Sequence, residues 1–253
     1  MRYWALTDTG RVRSENQDAW LVRETVPRDG DSRILTAVVC DGMGGAKAGN
    51  VASRMGVERF TDYLCPGLET VEQAELSAPL AVREANRAIY DLAYAIPEYE
   101  GMGTTLVAAV TDGLRLTVAN VGDSRCYLIR DGSIHQLTKD HSVVEDMVDR
   151  GEIERADAWK HPRRNYITRA LGAEEQVECD LFFLELDPGD VLLLCSDGLS
   201  GVVNAQELLF EVVYGGELET AAERMVNIAL ERGAPDNVTA LVVSNDDPQT
   251  ETL

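Results

Sequence analysis

Histidine is scarce in this 253-residue chain, and its three copies (His135, His141, His161) make no HxxH, HxxxH or mixed Cys/His spacing, which excludes the familiar zinc sites. The five cysteines, Cys40, Cys65, Cys126, Cys179 and Cys195, form no CxxC pair. Most of them lie inside apolar runs, where a free thiol packs as a small hydrophobe, so a reduced, intracellular protein is expected. Basic residues are few as well: 23 Lys+Arg face 44 Asp+Glu, a net charge of −21. That excess repels phosphate backbones and anionic lipid, so neither nucleic acid nor a membrane is expected as a partner. Met1 to Asp8 lack a signal-peptide apolar region, and no run reaches the roughly 18 apolar residues of a span. A cytoplasmic protein is expected.

What is present suits one large globular domain, residues 1–245, followed by a short polar tail, 246–253; 45% of the chain is hydrophobic. Ile34 to Cys40 (ILTAVVC), Asp190 to Cys195 (DVLLLC) and Val238 to Ser244 (VTALVVS) read as buried strands, being β-branched or leucine-rich and too short for helices. Thr104 to Arg130 reads as an antiparallel meander with turns at Asp112-Gly113 and Asp131-Gly132. Helical spacing runs from Asn50, as N-cap, to Leu64, and a second helix starts with Ser77 as cap and Pro79 in its first turn. Further helices are expected over Val143 to Arg150, Ala205 to Val213 and Leu218 to Arg232. The polar region 138–178, carrying His161-Pro162-Arg163-Arg164-Asn165, is either a lid or an ordinary surface excursion.

One Asp-Gly pair is most simply a tight turn. Here, however, four aspartates stand where an apolar strand begins or ends: Asp41, Asp123, Asp197 and Asp236, each beside glycine or asparagine and without a neighbouring Lys or Arg. Converging carboxylates repel unless cations fill the gap, and an all-oxygen ligand set suits Mg²⁺ or Mn²⁺. Two such ions bridged by a carboxylate can hold a water, lower its pKa and aim it at phosphorus. No Cys-x5-Arg thiol loop and no GxSxG elbow competes with that route. Arg13 has the fork of donors to grip two phosphate oxygens, although alone it is an ordinary surface arginine.

Seven motifs occur in order: Arg13-Ser14-Glu15-Asn16-Gln17-Asp18, Asp41-Gly42-Met43-Gly44-Gly45, Gly101-Met102-Gly103-Thr104-Thr105, Asn120-Val121-Gly122-Asp123-Ser124-Arg125, Leu137-Thr138-Lys139-Asp140-His141-Ser142, Cys195-Ser196-Asp197-Gly198-Leu199 and Asp236-Asn237-Val238-Thr239. Together they resemble the bacterial metal-dependent Ser/Thr protein phosphatases (the PPM, or type 2C, family) across nearly the whole chain. The resemblance implies an α+β fold: a four-layer αββα sandwich of two antiparallel sheets flanked by helices, with a metal cluster at one end. It implies Asp41 as the bridge between two ions, the Gly42 carbonyl on the first, and Asp197 and Asp236 on the second. Asp18 would hold metal-bound water, Asp123 and Asp197 a third, weaker ion, and Arg13 the phosphate, while about 143–178 would form a mobile flap.

The implied activity is Mn²⁺- or Mg²⁺-dependent hydrolysis of phosphoserine and phosphothreonine in proteins, opposing a cognate Ser/Thr kinase; a monomer is expected. One position departs from the family. Ala46 stands where many bacterial members carry a histidine proposed to protonate the leaving alkoxide. Water on a metal, or a flap group such as His161 beside Asn165, would then supply that proton, or turnover would be slower. Two alternatives are a catalytically weak phosphoprotein-binding module of the same fold, and a metallohydrolase of small phosphoesters.

Overall fold

The computed structural model of the protein describes residues 1–28, 30 and 32–245, apart from the side chains of Ala46 and Lys47. The polar tail and the side chain at position 46 therefore lie outside the described residues. The strands are β1 (Arg2–Asp8), β2 (Asp18–Thr25), β3 (Ile34–Met43), β4 (Gly103–Thr104), β5 (Leu106–Thr111), β6 (Arg115–Val121), β7 (Arg125–Arg130), β8 (Ser133–Gln136), β9 (Asp180–Glu185), β10 (Val191–Cys195) and β11 (Val238–Ser244). The helices are α1 (Gly45–Leu64), α2 (Val71–Ala95), α3 (Val143–Asp149), α4 (Arg155–Ala158), α5 (Asp197–Ser200), α6 (Ala205–Val213) and α7 (Ala221–Glu231).

Two antiparallel sheets result, ordered β1-β11-β10-β7-β8 and β2-β3-β5-β6-β9, with the short β4 paired to β3. The two-residue period of a strand explains how four layers arise. In β3, Leu35, Ala37 and Val39 meet Leu192, Leu194, Leu241 and Val243 of the other sheet, whereas Ile34, Val38 and Cys40 pack under α1 and α2. In β10 and β11, Leu193, Cys195, Ala240 and Val242 turn the other way, under α5, α6 and α7. Covered on both faces, these strands read as continuous apolar runs rather than as alternating ones.

Three expectations need correcting. The Thr104 to Arg130 region is not one meander: β5 and β6 lie in one sheet and β7 in the other, so Gly122-Asp123-Ser124 crosses between sheets. Helix α1 starts at Gly45 rather than at Asn50, because Gly44, at φ 112°, turns the chain into the helix directly from β3. Helix α2 starts after Thr70, so Ser77 and Pro79 are interior. Pro79 removes the hydrogen bond to the carbonyl of exposed Glu75, where water can replace it, and the Ser77 hydroxyl donates back to the Gln73 carbonyl (2.7 Å).

Candidate metal centre and phosphate cleft

The site forms where both sheets end. Asp18 opens β2 and lies directly opposite Asp41 of β3, so the antiparallel register sets two carboxylates side by side. Asp123 sits on the sheet-to-sheet crossing, Asp197 is the first residue of α5, and Asp236 precedes β11. The backbone of Asp41 is held by the next strand: its N–H donates to Thr105 Oγ1 and its carbonyl accepts from Thr105 N–H and Thr104 Oγ1, each at 2.9 Å. At Gly42 the chain passes so close to its neighbours that a Cβ would stand 2.0 Å from the Gly49 carbonyl oxygen. Only glycine fits there.

Asp18 is buried, with Oδ2 accepting from the hydroxyls of Ser196 (2.7 Å) and Thr239 (2.6 Å). Its Oδ1 is also buried and has no hydrogen-bond partner among the described residues. Asn237 straps the Arg13 loop to this end: its Oδ1 accepts from Gln17 N–H (2.9 Å), and its Nδ2 donates to the carbonyls of Thr9 (2.8 Å) and Glu15 (3.0 Å). Arg13 then donates from Nη2 to Asp236 Oδ2 at 2.7 Å.

Electrostatics show the cost of this crowding. Burial, reinforced by Asp197 and Asp236 and opposed by the two hydroxyls, pushes the Asp18 carboxyl up to about 7. Burial and the neighbouring carboxylates likewise push Asp41 and Asp123 well above the usual range, and raise Asp197. The Arg13 guanidinium is raised by its hydrogen bond to Asp236 and by that residue's charge. Carboxylates that resist ionising together mark a place where added positive charge would be favourable.

Asp123, Asp197 and Asp236, with Arg13, line a cleft of about 620 Å³ that Trp159, Arg164 and Asn165 also line, whereas Asp18 and Asp41 are not among its lining residues. Arg125 also lines it, bound to Asp140 through Nε and Nη2 at 2.7 to 3.2 Å. His161 is not among the lining residues; its Nδ1 accepts from Arg163 N–H (3.2 Å) in an exposed setting. Ser196, Thr239, Thr104 and Thr105 lie inside the sequence motifs, but the sequence assigns them no role. Their one visible signal was a hydroxyl beside or opposite a site aspartate, which only strand register turns into a contact.

The donor set fits hard divalent cations. Every candidate ligand is an oxygen, and the unpartnered Oδ1 of Asp18 has no other use within the protein. Among the described residues no three acidic, His or Cys side chains make a closed cage. Carbonyl oxygens and water would complete the shell of any ion held here.

An αββα sandwich whose sheet ends gather carboxylates next to a phosphate-sized cationic fork defines a metal-dependent phosphoester hydrolase. The family model described as protein phosphatase 2C matches residues 10–239. The chain is 40% identical over 242 residues to the serine/threonine phosphatase stp of Listeria monocytogenes, covering 95% of this chain and 94% of that one. It superposes with a TM-score of 0.86 and 38% identity on the Mycobacterium tuberculosis serine/threonine phosphatase PstP/Ppp, over 97% and 99% of the two chains. The catalytic domain of PstP in complex with two manganese ions gives a TM-score of 0.82 at 37% identity, over 95% and 96%. This chain belongs to the protein phosphatase 2C family. No helix among its described residues is long and apolar enough to cross a membrane.

Proposed function

We propose that the protein removes phosphate from phosphoserine and phosphothreonine in proteins, opposing a Ser/Thr kinase in the cytoplasm as a monomer. The observation that carries this reading is the convergence of Asp18, Asp41, Asp123, Asp197 and Asp236 with Arg13 at one end of the sandwich. Asp41 would bridge two ions, the Gly42 carbonyl would complete the first, and Asp197 and Asp236 would complete the second. Asp123 with Asp197 would hold a third, weaker ion, and the oxygen-only donors suit Mn²⁺ and Mg²⁺ alike. Such ions, when bound, supply Lewis-acid polarisation of the phosphate and a water nucleophile of lowered pKa.

The protein's own groups do the rest. Arg13, exposed and anchored through Asp236, can turn its remaining donors to two phosphate oxygens and hold the phosphorus in place. Asp18 keeps one oxygen on Ser196 and Thr239 and leaves the other buried without a partner among the described residues, able to accept from a water. Trp159, Arg164 and Asn165 in the cleft lining offer an aromatic face, a charge and an amide to the polypeptide flanking the phosphorylated side chain.

Phosphate release from phosphoserine and phosphothreonine peptides, compared with free nucleotides, is the test. Turnover should need Mn²⁺ or Mg²⁺ and favour the peptides. A preference for nucleotides would indicate a small-phosphoester hydrolase, phosphopeptide binding without turnover would indicate a reader, and full activity in Asp197→Ala would sink the metal assignment.

A further inference from the structure

The motif Leu137-Thr138-Lys139-Asp140-His141-Ser142 contributes a buried imidazole that does not line the cleft. The ring of His141 joins two separate parts of the molecule. Its Nδ1 accepts from the N–H of Gly122, the residue before Asp123, at 3.0 Å. Its Nε2 lies 3.2 Å from Asp180 Oδ2 at the start of β9. Arg169 completes the group, with Nη1 at 3.1 Å from Nε2 and at 2.8 Å from Asp180 Oδ1.

The backbone repeats the same connection. His141 N–H donates to the Gly122 carbonyl (2.9 Å), and its carbonyl accepts from Thr168 N–H (2.8 Å). Next to it, Ser142 bridges Ile167, Val143 N–H donates to the Tyr166 carbonyl (2.8 Å), and the Ser142 hydroxyl caps α3. Residue 141 therefore stands where the outgoing and returning ends of segment 143–166 meet, the segment that lines the cleft through Glu145, Arg155, Trp159, Arg164 and Asn165. The ring ties that junction to the Asp123 turn on one side and to β9 on the other.

Hydrogen-bond polarity fixes the tautomer. A backbone N–H can only donate, so Nδ1 must keep its lone pair, and the proton of the neutral ring sits on Nε2, facing Asp180. Protonating Nδ1 would break the Gly122 bond and place a second cation beside Arg169. Burial and Arg169, opposed by Asp180, hold the imidazole pKa below its usual value. The turn it holds has little slack: Gly122 has φ +102°, and a Cβ there would stand 2.6 Å from Thr105 Cγ2.

We propose that His141 is a positioning residue whose imidazole sets the Gly122-Asp123 turn through Nδ1 and, through Nε2 with Asp180 and Arg169, the junction of the cleft-lining segment 143–166. It rests on the phosphatase reading above for its kinetic consequences, but not for its structural ones.

Two near-isosteres separate the two bonds. His141→Asn places an amide oxygen near the Nδ1 position and abandons Asp180; His141→Gln reaches Asp180 and leaves Gly122 N–H without an acceptor. In the Asn variant, KM for a phosphopeptide should rise roughly tenfold, the effect of one lost buried hydrogen bond, while the Mn²⁺ concentration for half-maximal activity stays put. Trypsin should also cut faster at the exposed Arg155, Lys160, Arg163 and Arg164. In the Gln variant the trypsin pattern should hold, whereas the Mn²⁺ requirement rises roughly tenfold. Metal-free protein gives an independent reading: ¹⁵N spectra should show the Nε2–H tautomer, and Gly122 amide exchange should quicken in Gln but not in Asn. Identical behaviour of the two variants, or an Nδ1–H ring in the wild type, overturns the proposal. If wild-type protein shows no metal-dependent turnover, the phosphatase reading fails, and the tautomer, exchange and trypsin results still decide the role of His141.

Discussion

Removing divalent cations should make stability fall as pH rises, the opposite of ordinary acid denaturation. Asp18 carries the clearest part of this effect, because burial and neighbouring carboxylates hold its carboxyl up at about 7. A folded-state pKa above the unfolded value near 4 means that the native state keeps the proton. The resulting stability is present below the unfolded pKa and lost as pH climbs through 7. Between about pH 5.5 and about pH 8 that loss is about 1.5 pKa units for Asp18, or about 2 kcal/mol at ~1.36 kcal/mol per unit. For a chain of this size the corresponding fall in Tm is about 4 to 8 °C. Asp41, Asp123 and Asp197 are shifted in the same direction, chiefly by burial. Glu207, held down at about 2 chiefly by its hydrogen bond to Arg232, has the opposite sign but titrates below this window, whereas His141, held below its usual value by burial, gains stability as pH rises towards its unfolded pKa near 6.5 and offsets part of the slope there. Thermal melting in a chelator at the two pH values, followed by circular dichroism, measures the slope. Mn²⁺ at about 100 times its Kd should return about 2.7 kcal/mol at the higher pH. Asp18→Asn, which mimics the protonated carboxyl, should flatten the slope. A metal-free Tm that is flat or rising over this range, or a slope unchanged in Asp18→Asn, would refute the reasoning.

Substitutions at three positions probe the rest of the site. Arg13→Ala should raise KM for a phosphopeptide at least about tenfold, since a hydrogen bond to a charged group is worth about 1.5–3 kcal/mol, and Arg13→Lys should rescue it only in part; steady-state kinetics decides. Thr105→Val deletes the oxygen that accepts from Asp41 N–H and pairs with the Ser124 hydroxyl (2.7 Å). A buried N–H left without a partner costs about 1–3 kcal/mol, so a denaturant titration should show that loss, together with weaker metal binding. Gly198→Ala would place a Cβ 1.8 Å from the Asn237 carbonyl oxygen, between two backbones that cannot both yield. A destabilisation of roughly 3 kcal/mol or more is expected by the same titration, as for other backbone clashes.

The strands were legible because burial on both faces leaves continuous apolar runs, as in Leu192 to Cys195. The four aspartates were legible because each interrupts or borders such a run. What composition could not carry was pairing. Nothing local says that Asp18 faces Asp41, that Ser196 and Thr239 converge on one carboxylate oxygen, or that β7 leaves the sheet holding β6. Those facts depend on register across long sequence separations. Helix starts failed for a different reason: Ser77-x-Pro79 is a strong local start signal, yet α2 runs through it because Val71, Ala74 and Ala78 already bury one face against the sheet. Tertiary packing outweighs a single proline whose missing hydrogen bond faces solvent.

The carboxylate cluster and Arg13 together form, on this reading, a metal-dependent phosphatase centre. Phosphate release from a phosphothreonine peptide, titrated with Mn²⁺ against a chelated control in wild type and in Asp197→Asn, tests it most directly. No turnover without metal, a saturable rise with Mn²⁺, and loss of that rise in the variant with its circular dichroism unchanged are expected. Turnover that survives chelation, or a variant that titrates as the wild type does, would contradict it.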